Sequence, residues 1–165
     1  MHTMEVKEYR VGIADLNVAK SPDRIITVGL GSCIGIALYD RINGVGGLLH
    51  IMLPDSTQFK NVSNPLKFPD LGIIIMTDKM KEKGANIRNI KAKISGGASM
   101  FNFSDKSMVM DIGRRNIEAV RKKLKELSIP IVAEEVGGNK GRTMTLDTSN
   151  GIVQIKTVGV GMKEI

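Results

Sequence analysis

Two apolar runs of strand length dominate the first third of this chain. They are Cys33-Ile34-Gly35-Ile36-Ala37-Leu38-Tyr39 and Gly47-Leu48-Leu49-His50-Ile51-Met52-Leu53, and they flank Asp40-Arg41-Ile42-Asn43-Gly44. Short continuous apolar runs bounded by turn residues read as buried strands. Asn and Gly tolerate positive φ, so the intervening stretch supplies turn chemistry, and Pro54 stops the second run. The local expectation is an antiparallel hairpin.

The rest of the chain sorts around it. Period-2 alternation at Tyr9, Val11 and Ile13 and the β-branched run Arg24–Val28 predict strands before the hairpin. Leu71, Ile74, Ile75 and Met80 recur at helical spacing within residues 66–83, and Gly84 is a C-terminal stop. Ile90–Ser95 reads as a strand ending at Gly96-Gly97. Ile117, Val120, Leu124 and Leu127 form one apolar stripe on a helix over 112–127, with Pro130 just beyond. Strands follow at 131–136, 143–147 and 152–158, the last two joined by a turn at Ser149-Asn150-Gly151. This order lacks the strict alternation of a doubly wound sheet. It predicts a mixed, layered α/β/β arrangement, with two main helices packed on predominantly antiparallel sheets. The 165 residues suit one core, so residues 1–165 are expected to form a single domain.

Composition removes several classes of function. One cysteine excludes an intramolecular disulfide framework and any cysteine-based zinc knuckle. No apolar run approaches the ~18–20 residues that span a bilayer, and the N-terminus lacks a signal-peptide pattern. The expectation is a cytoplasmic protein without membrane insertion. The net charge of +7 sits in the middle and rear of the chain, since residues 1–50 are balanced. Aromatics make up 4% and there is no Trp, which leaves few parts for a base-stacking platform. Nucleic acid is therefore not an expected partner.

The candidates for chemistry are few. Besides His2 near the terminus there is one histidine, His50, and it stands on the strand opposite Cys33. A loop at Arg41-Ile42 would set Cys33 directly across from His50. A loop at Asn43-Gly44 would set Cys33 across from Pro54 and His50 across from Ala37. A thiol with an ordinary pKa of ~8.5 becomes a useful nucleophile when an imidazole helps to deprotonate it. Gly29, Gly31 and Gly35 leave the sulfur approachable, and the turn through Gly31 and Ser32 can aim backbone N–H groups at an oxyanion. The competing reading makes Cys33 a small buried hydrophobe and His50 a satisfied core histidine.

Other motifs carry less. Gly29-x-Gly31-x-x-x-Gly35 superficially matches a dinucleotide fingerprint, but no helix follows to receive a pyrophosphate. Gly137–Thr143 lacks the Gly-Lys-Ser/Thr ending of a phosphate loop. A metal site would need more ligands than Cys33 and His50 supply, so neither metal nor cofactor is expected. Arg114, Arg115, Arg121, Lys122, Lys123 and Lys125 make helix 112–127 basic. Pairing with Glu118 explains much of this as a solvated face; docking to acidic helical surfaces is the alternative. Phe101 and Phe103 are read first as core and second as partner contacts.

Several blocks together resemble one family. They are Thr27-Val28-Gly29-Leu30-Gly31-Ser32-Cys33, Leu38-Tyr39-Asp40 and Gly46-Gly47-Leu48-Leu49-His50-Ile51-Met52-Leu53-Pro54. Further blocks are Lys93-Ile94-Ser95-Gly96-Gly97-Ala98, Ile112-Gly113-Arg114-Arg115-Asn116, Gly137-Gly138-Asn139-Lys140-Gly141-Arg142 and Gly151-Ile152-Val153-Gln154-Ile155-Lys156. In this order, from about residue 9 to 158, they resemble the CheD family of chemoreceptor glutamine deamidases. The resemblance implies Cys33 as nucleophile, His50 as its acid and base, and Thr27 as the group that orients the imidazole. It also implies conversion of receptor glutamines to glutamate with release of ammonia, and hydrolysis of glutamyl methyl esters by the same acyl chemistry. Chemoreceptor cytoplasmic domains and a CheC-type phosphatase are the implied partners. A non-catalytic adapter binding both is the rival reading. Ser95 and Glu135 depart from the family pattern, where Phe and Asp are common.

Overall fold

The hairpin forms with a register that neither turn position anticipates. In the computed structural model, which describes residues 5–99 and 111–165, β4 (Ile34–Asp40) pairs antiparallel with β5 (Val45–Ile51). Gly35 lies opposite His50, and Asp40 lies opposite Val45. The loop is therefore the four residues 41–44. Its closing device is Asp40, whose Oδ1 accepts from the Ile42 and Asn43 amides at 2.9 and 3.1 Å. Oδ2 accepts from the Asn43 side chain and the Asn86 amide, both at 2.8 Å. Burial alone would raise the Asp40 pKa; these donors hold it below the usual carboxylate value.

Around that hairpin the chain builds two mixed five-stranded sheets. One has the order β2 (Asp15–Lys20), β5, β4, β6 (Ile90–Gly96), β7 (Ile131–Val136). The other has the order β1 (Glu8–Val11), β3 (Arg24–Leu30), β8 (Arg142–Asp147), β9 (Val153–Thr157), β10 (Gly161–Glu164). Only β1–β3 and β6–β7 pair parallel among the described strands; the other pairs are antiparallel. The single α/β domain expected from element order is the one observed. Two strands were not foreseen as such. The alternating segment near residue 13 breaks at Ala14, at φ 57°, into β1 and β2, and β10 is an exposed edge strand.

Alternation along β4 and β5 assigns their side chains to two cores. Ile34, Ile36, Leu38, Leu49 and Ile51 face the helices, packing with Ile73, Met76 and Met80 of α1 (Pro69–Glu82). Ile117, Val120 and Leu124 of α2 (Ile112–Glu126) complete that layer. Ala37 and Leu48 face the opposite way and meet Ile25, Met144, Leu146, Val153 and Ile155 of the second sheet. The result is the expected α/β/β stack. Helix α1 begins three residues later than the apolar spacing suggests. Residues 65–67 form a 3₁₀ turn capped by Asn64, and Pro69 occupies the first turn of the helix proper.

Candidate active site

Alternation also puts Cys33 and His50 in the same layer. His50 shares its face of β5 with Leu48, so it points between the two sheets rather than toward the helices. Cys33 precedes β4 by one residue, shares the parity of Gly35 and Ala37, and packs against the same inter-sheet core. Because Gly35 stands directly opposite His50, Cys33 is its diagonal neighbour across the hairpin. Such diagonals are roughly 7–8 Å apart at the backbone, which long side chains bridge. Gly35 itself is tightly packed: a Cβ there would lie 2.6 Å from Met144 Sδ and 3.1 Å from Leu30 Cδ1, so its missing side chain makes room for the inter-sheet core rather than for an approach to the sulfur.

Thr27 reaches the same layer from the second sheet. Its Oγ1 lies 2.7 Å from His50 Nδ1 and donates to the Val11 carbonyl at 2.8 Å. A hydroxyl has one proton and the carbonyl can only accept, so Oγ1 must accept from Nδ1–H. That fixes the tautomer and leaves His50 Nε2 bare. Nε2 is buried and has no hydrogen-bond partner among the described residues. Directly after Thr27 the β3–β8 register shifts, with Gly29 at φ 73°, and the bulge turns the chain toward the Cys33 loop.

That loop is pinned through three consecutive carbonyls. Gly31 C=O accepts from Ala98 N–H at 2.8 Å, and Cys33 C=O accepts from Gly97 N–H at 2.9 Å. Between them, Ser32 C=O accepts from the Asn116 side-chain amide at 3.0 Å. In a trans peptide the N–H points opposite to the preceding C=O. Anchoring the Gly31 and Ser32 carbonyls therefore turns the Ser32 and Cys33 amides away from Ala98 and Asn116, on the opposite side of the loop. The Gly31 amide donates within the turn to Gly29 C=O at 3.1 Å. Gly96, at φ 108°, approaches so closely that a Cβ there would collide with the Cys33 carbonyl oxygen.

Burial governs the electrostatics. It lowers the His50 pKa from 6.5 to about 4, because imidazolium is poorly solvated between the sheets. It also raises the Cys33 thiol, although the residue's own backbone N–H acts in the opposite direction. Both groups rest in their neutral forms. Since the folded His50 value lies below the unfolded one, this residue favours the folded state above pH 6.5 by about 3 kcal/mol, and that contribution is lost as pH falls toward 4. The expected result is a wild-type urea midpoint that drops between pH 6.5 and 4 more steeply than that of His50→Gln. Parallel pH profiles for the two proteins would contradict the burial of a neutral imidazole.

Two groups around the loop escaped the sequence reading. Asn116 is fully buried in the apolar stripe of α2, and Arg142 donates to Gly137 C=O at 2.6 Å while pairing with Glu135. A polar residue interrupting an apolar helix face was the available signal for Asn116. The two departures from the family pattern turn out to touch, because Ser95 Oγ donates to Glu135 C=O at 2.9 Å. Of the basic α2 side chains, Arg114, Arg121 and Lys123 pair with Glu118, Glu134 and Glu126. Phe101 and Phe103 lie outside the described residues. Among the described residues there is no cluster of three or more His, Cys, Asp or Glu that could hold a metal, and no helix is long and apolar enough to cross a membrane.

Comparison with known proteins gives a consistent result. Residues 52–157 match the family model described as "CheD chemotactic sensory transduction". The chain is 71% identical over 162 residues to a Clostridium botulinum (strain Hall) protein named "Probable chemoreceptor glutamine deamidase CheD". The alignment covers 98% of this chain and 100% of that relative. A Clostridium kluyveri protein of the same name is 64% identical with the same coverage. Among solved structures, the Bacillus licheniformis hypothetical protein YfiH aligns with a TM-score of 0.47 at 16% identity. It covers 76% of this chain and 51% of that one, a likeness too remote to bear on fold or function.

Proposed function

This chain belongs to the CheD family, and from that membership and the Thr27–His50–Cys33 geometry we propose a chemoreceptor glutamine deamidase that works by thiol acyl transfer. The observation that carries the mechanism is the Thr27–His50 hydrogen bond, which leaves a bare Nε2 in the layer that Cys33 enters.

The steps follow from the chemistry of these groups. The Cys33 sulfur attacks the side-chain amide carbon of a receptor glutamine as its proton passes to His50 Nε2. The carbonyl oxygen becomes an oxyanion and accepts from the Ser32 amide and from that of Cys33 itself. The Gly31 amide, also a candidate from the sequence, is engaged within its turn, so Gly31 contributes chiefly by leaving the approach open. The C–N bond then breaks, the imidazolium returns the proton to nitrogen, and ammonia departs. An imidazolium made acidic by burial is a strong donor at this step. Water, deprotonated by His50, hydrolyses the thioester to glutamate and regenerates the thiol. The sum is glutamine plus water giving glutamate plus ammonia. A glutamyl methyl ester follows the same course with methanol leaving.

Family resemblance supports a CheC-type phosphatase as a second partner, and the proposed substrate on receptor cytoplasmic domains supports the cytoplasm as the compartment. A pure adapter would need no oriented imidazole beside a thiol, which favours the enzyme over that reading. The test is ammonia release on incubation with a receptor cytoplasmic fragment. One ammonia per glutamine lost is expected; ammonia at background, with receptor binding intact, would favour the adapter.

A further inference from the structure

Helix α2 opens with Ile112-Gly113-Arg114-Arg115-Asn116, a block the acyl-transfer mechanism leaves without a role. Its geometry centres on Asn116, which is fully buried. The side-chain amide Nδ2 donates at 3.0 Å to Ser32 C=O and at 2.9 Å to Met52 C=O. Both acceptors are carbonyls, so only nitrogen can occupy that position and the amide orientation is settled by its partners. Ser32 immediately precedes Cys33, and Met52 follows His50 by two residues at the exit of β5. One side chain therefore spans the two segments that carry the reacting groups.

The helix is built to bring Asn116 there. Asp111 caps it, accepting from the Arg114 amide at 3.1 Å. Gly113 lets it approach the loop that holds Cys33, since a Cβ at that position would lie 2.5 Å from Ala98 C=O and 2.6 Å from Gly97 C=O. Asn116 Oδ1, meanwhile, is buried without a hydrogen-bond partner among the described residues. An apolar residue would avoid the cost of burying such an acceptor. What an asparagine supplies here that an apolar residue could not is the double donation of its nitrogen.

We infer that Asn116 is a positioning residue for the proposed acyl transfer: its double donation ties the Ser32–Cys33 peptide to the β5 exit and so sets the Cys33 amide and sulfur relative to the His50 ring. The Ser32 carbonyl and the Cys33 N–H belong to one rigid peptide plane. Holding the carbonyl aims the amide that would meet the oxyanion. The inference rests on the reading of Cys33 as nucleophile and His50 as its base. It assigns Asn116 no contact with substrate.

Asn116→Asp is the discriminating substitution. It preserves shape but removes both donors, and as a carboxylate it faces two carbonyl oxygens. Protonation returns one O–H, enough for one of the two acceptors. Against a receptor fragment, kcat at neutral pH is expected to fall on the order of a hundredfold, the scale of small misplacements of reacting groups, with KM within about twofold. The ratio of variant to wild-type kcat should then rise as pH is lowered. Alkylation of Cys33 by iodoacetamide, which needs no substrate, should change in rate in the same variant. If Asn116→Asp does not accumulate as folded protein, Asn116→Ser, with one small donor, takes its place in the kcat, KM and alkylation measurements.

A folded variant with wild-type kcat and wild-type alkylation would overturn the inference. So would a loss of kcat in the Asp variant whose ratio to wild type is flat with pH while alkylation is unchanged, because that pattern is general destabilisation. If the wild-type protein itself converts no glutamine, the functional reading fails separately. The alkylation comparison still decides the positioning role, since an unchanged rate would overturn it.

Discussion

Cys33→Ala is expected to lower receptor deamidation by roughly a thousandfold or more, because the variant has no thiol to form the thioester intermediate. Cys33 is the chain's single cysteine, so no second thiol can substitute for it. The side chain is only partly buried at the edge of the inter-sheet core, and the three carbonyl anchors of its loop do not involve the sulfur. Unfolding by urea should therefore move by no more than about 1 kcal/mol, the low end for a small truncation. The pairing of lost activity with a retained fold is what separates a nucleophile from a packing cysteine. Substantial activity in the folded alanine variant would return Cys33 to the role of a small hydrophobe.

His50→Gln should reduce deamidation by about 10²–10⁴-fold, the usual worth of a positioned acid and base. The effect should also depend on the leaving group. Ammonia leaves only with a proton, whereas methanol leaves more readily, so hydrolysis of a glutamyl methyl ester should fall less than deamidation in the same variant. Rates on matched glutamine and methyl-ester receptor fragments measure this directly. An equal loss on both would mean that His50 acts in thiol activation alone. Glutamine cannot replace the tautomer that Thr27 fixes, because its amide has no basic nitrogen to take the thiol proton.

The chemistry was easier to read from the sequence than the register that positions it. With one cysteine and one histidine on facing apolar runs, the Cys33–His50 pair could be named by enumeration. Their relative placement could not, since both turn positions considered put the wrong residue opposite His50. The loop that forms is chosen by Asp40, whose carboxylate collects four donors, one of them from Asn86 far along the chain. Local propensity contains no trace of that last contact. Helix 112–127 was legible because Ile117, Val120 and Leu124 keep strict spacing. Strand β10 was not, because all four of its residues are exposed and leave no alternation to find. Asn116 shows the same limit at the site: its acceptors lie 84 and 64 residues away in sequence, so only the folded chain reveals what it holds.

The central claim is that this protein deamidates receptor glutamine through the Cys33 sulfur. Peptide mass spectrometry of a receptor cytoplasmic fragment tests it most directly, with untreated protein and protein whose Cys33 has been blocked by iodoacetamide run side by side. Conversion of glutamine to glutamate by the untreated protein, abolished by the block, is the expected result. Equal conversion by the blocked protein would contradict the account.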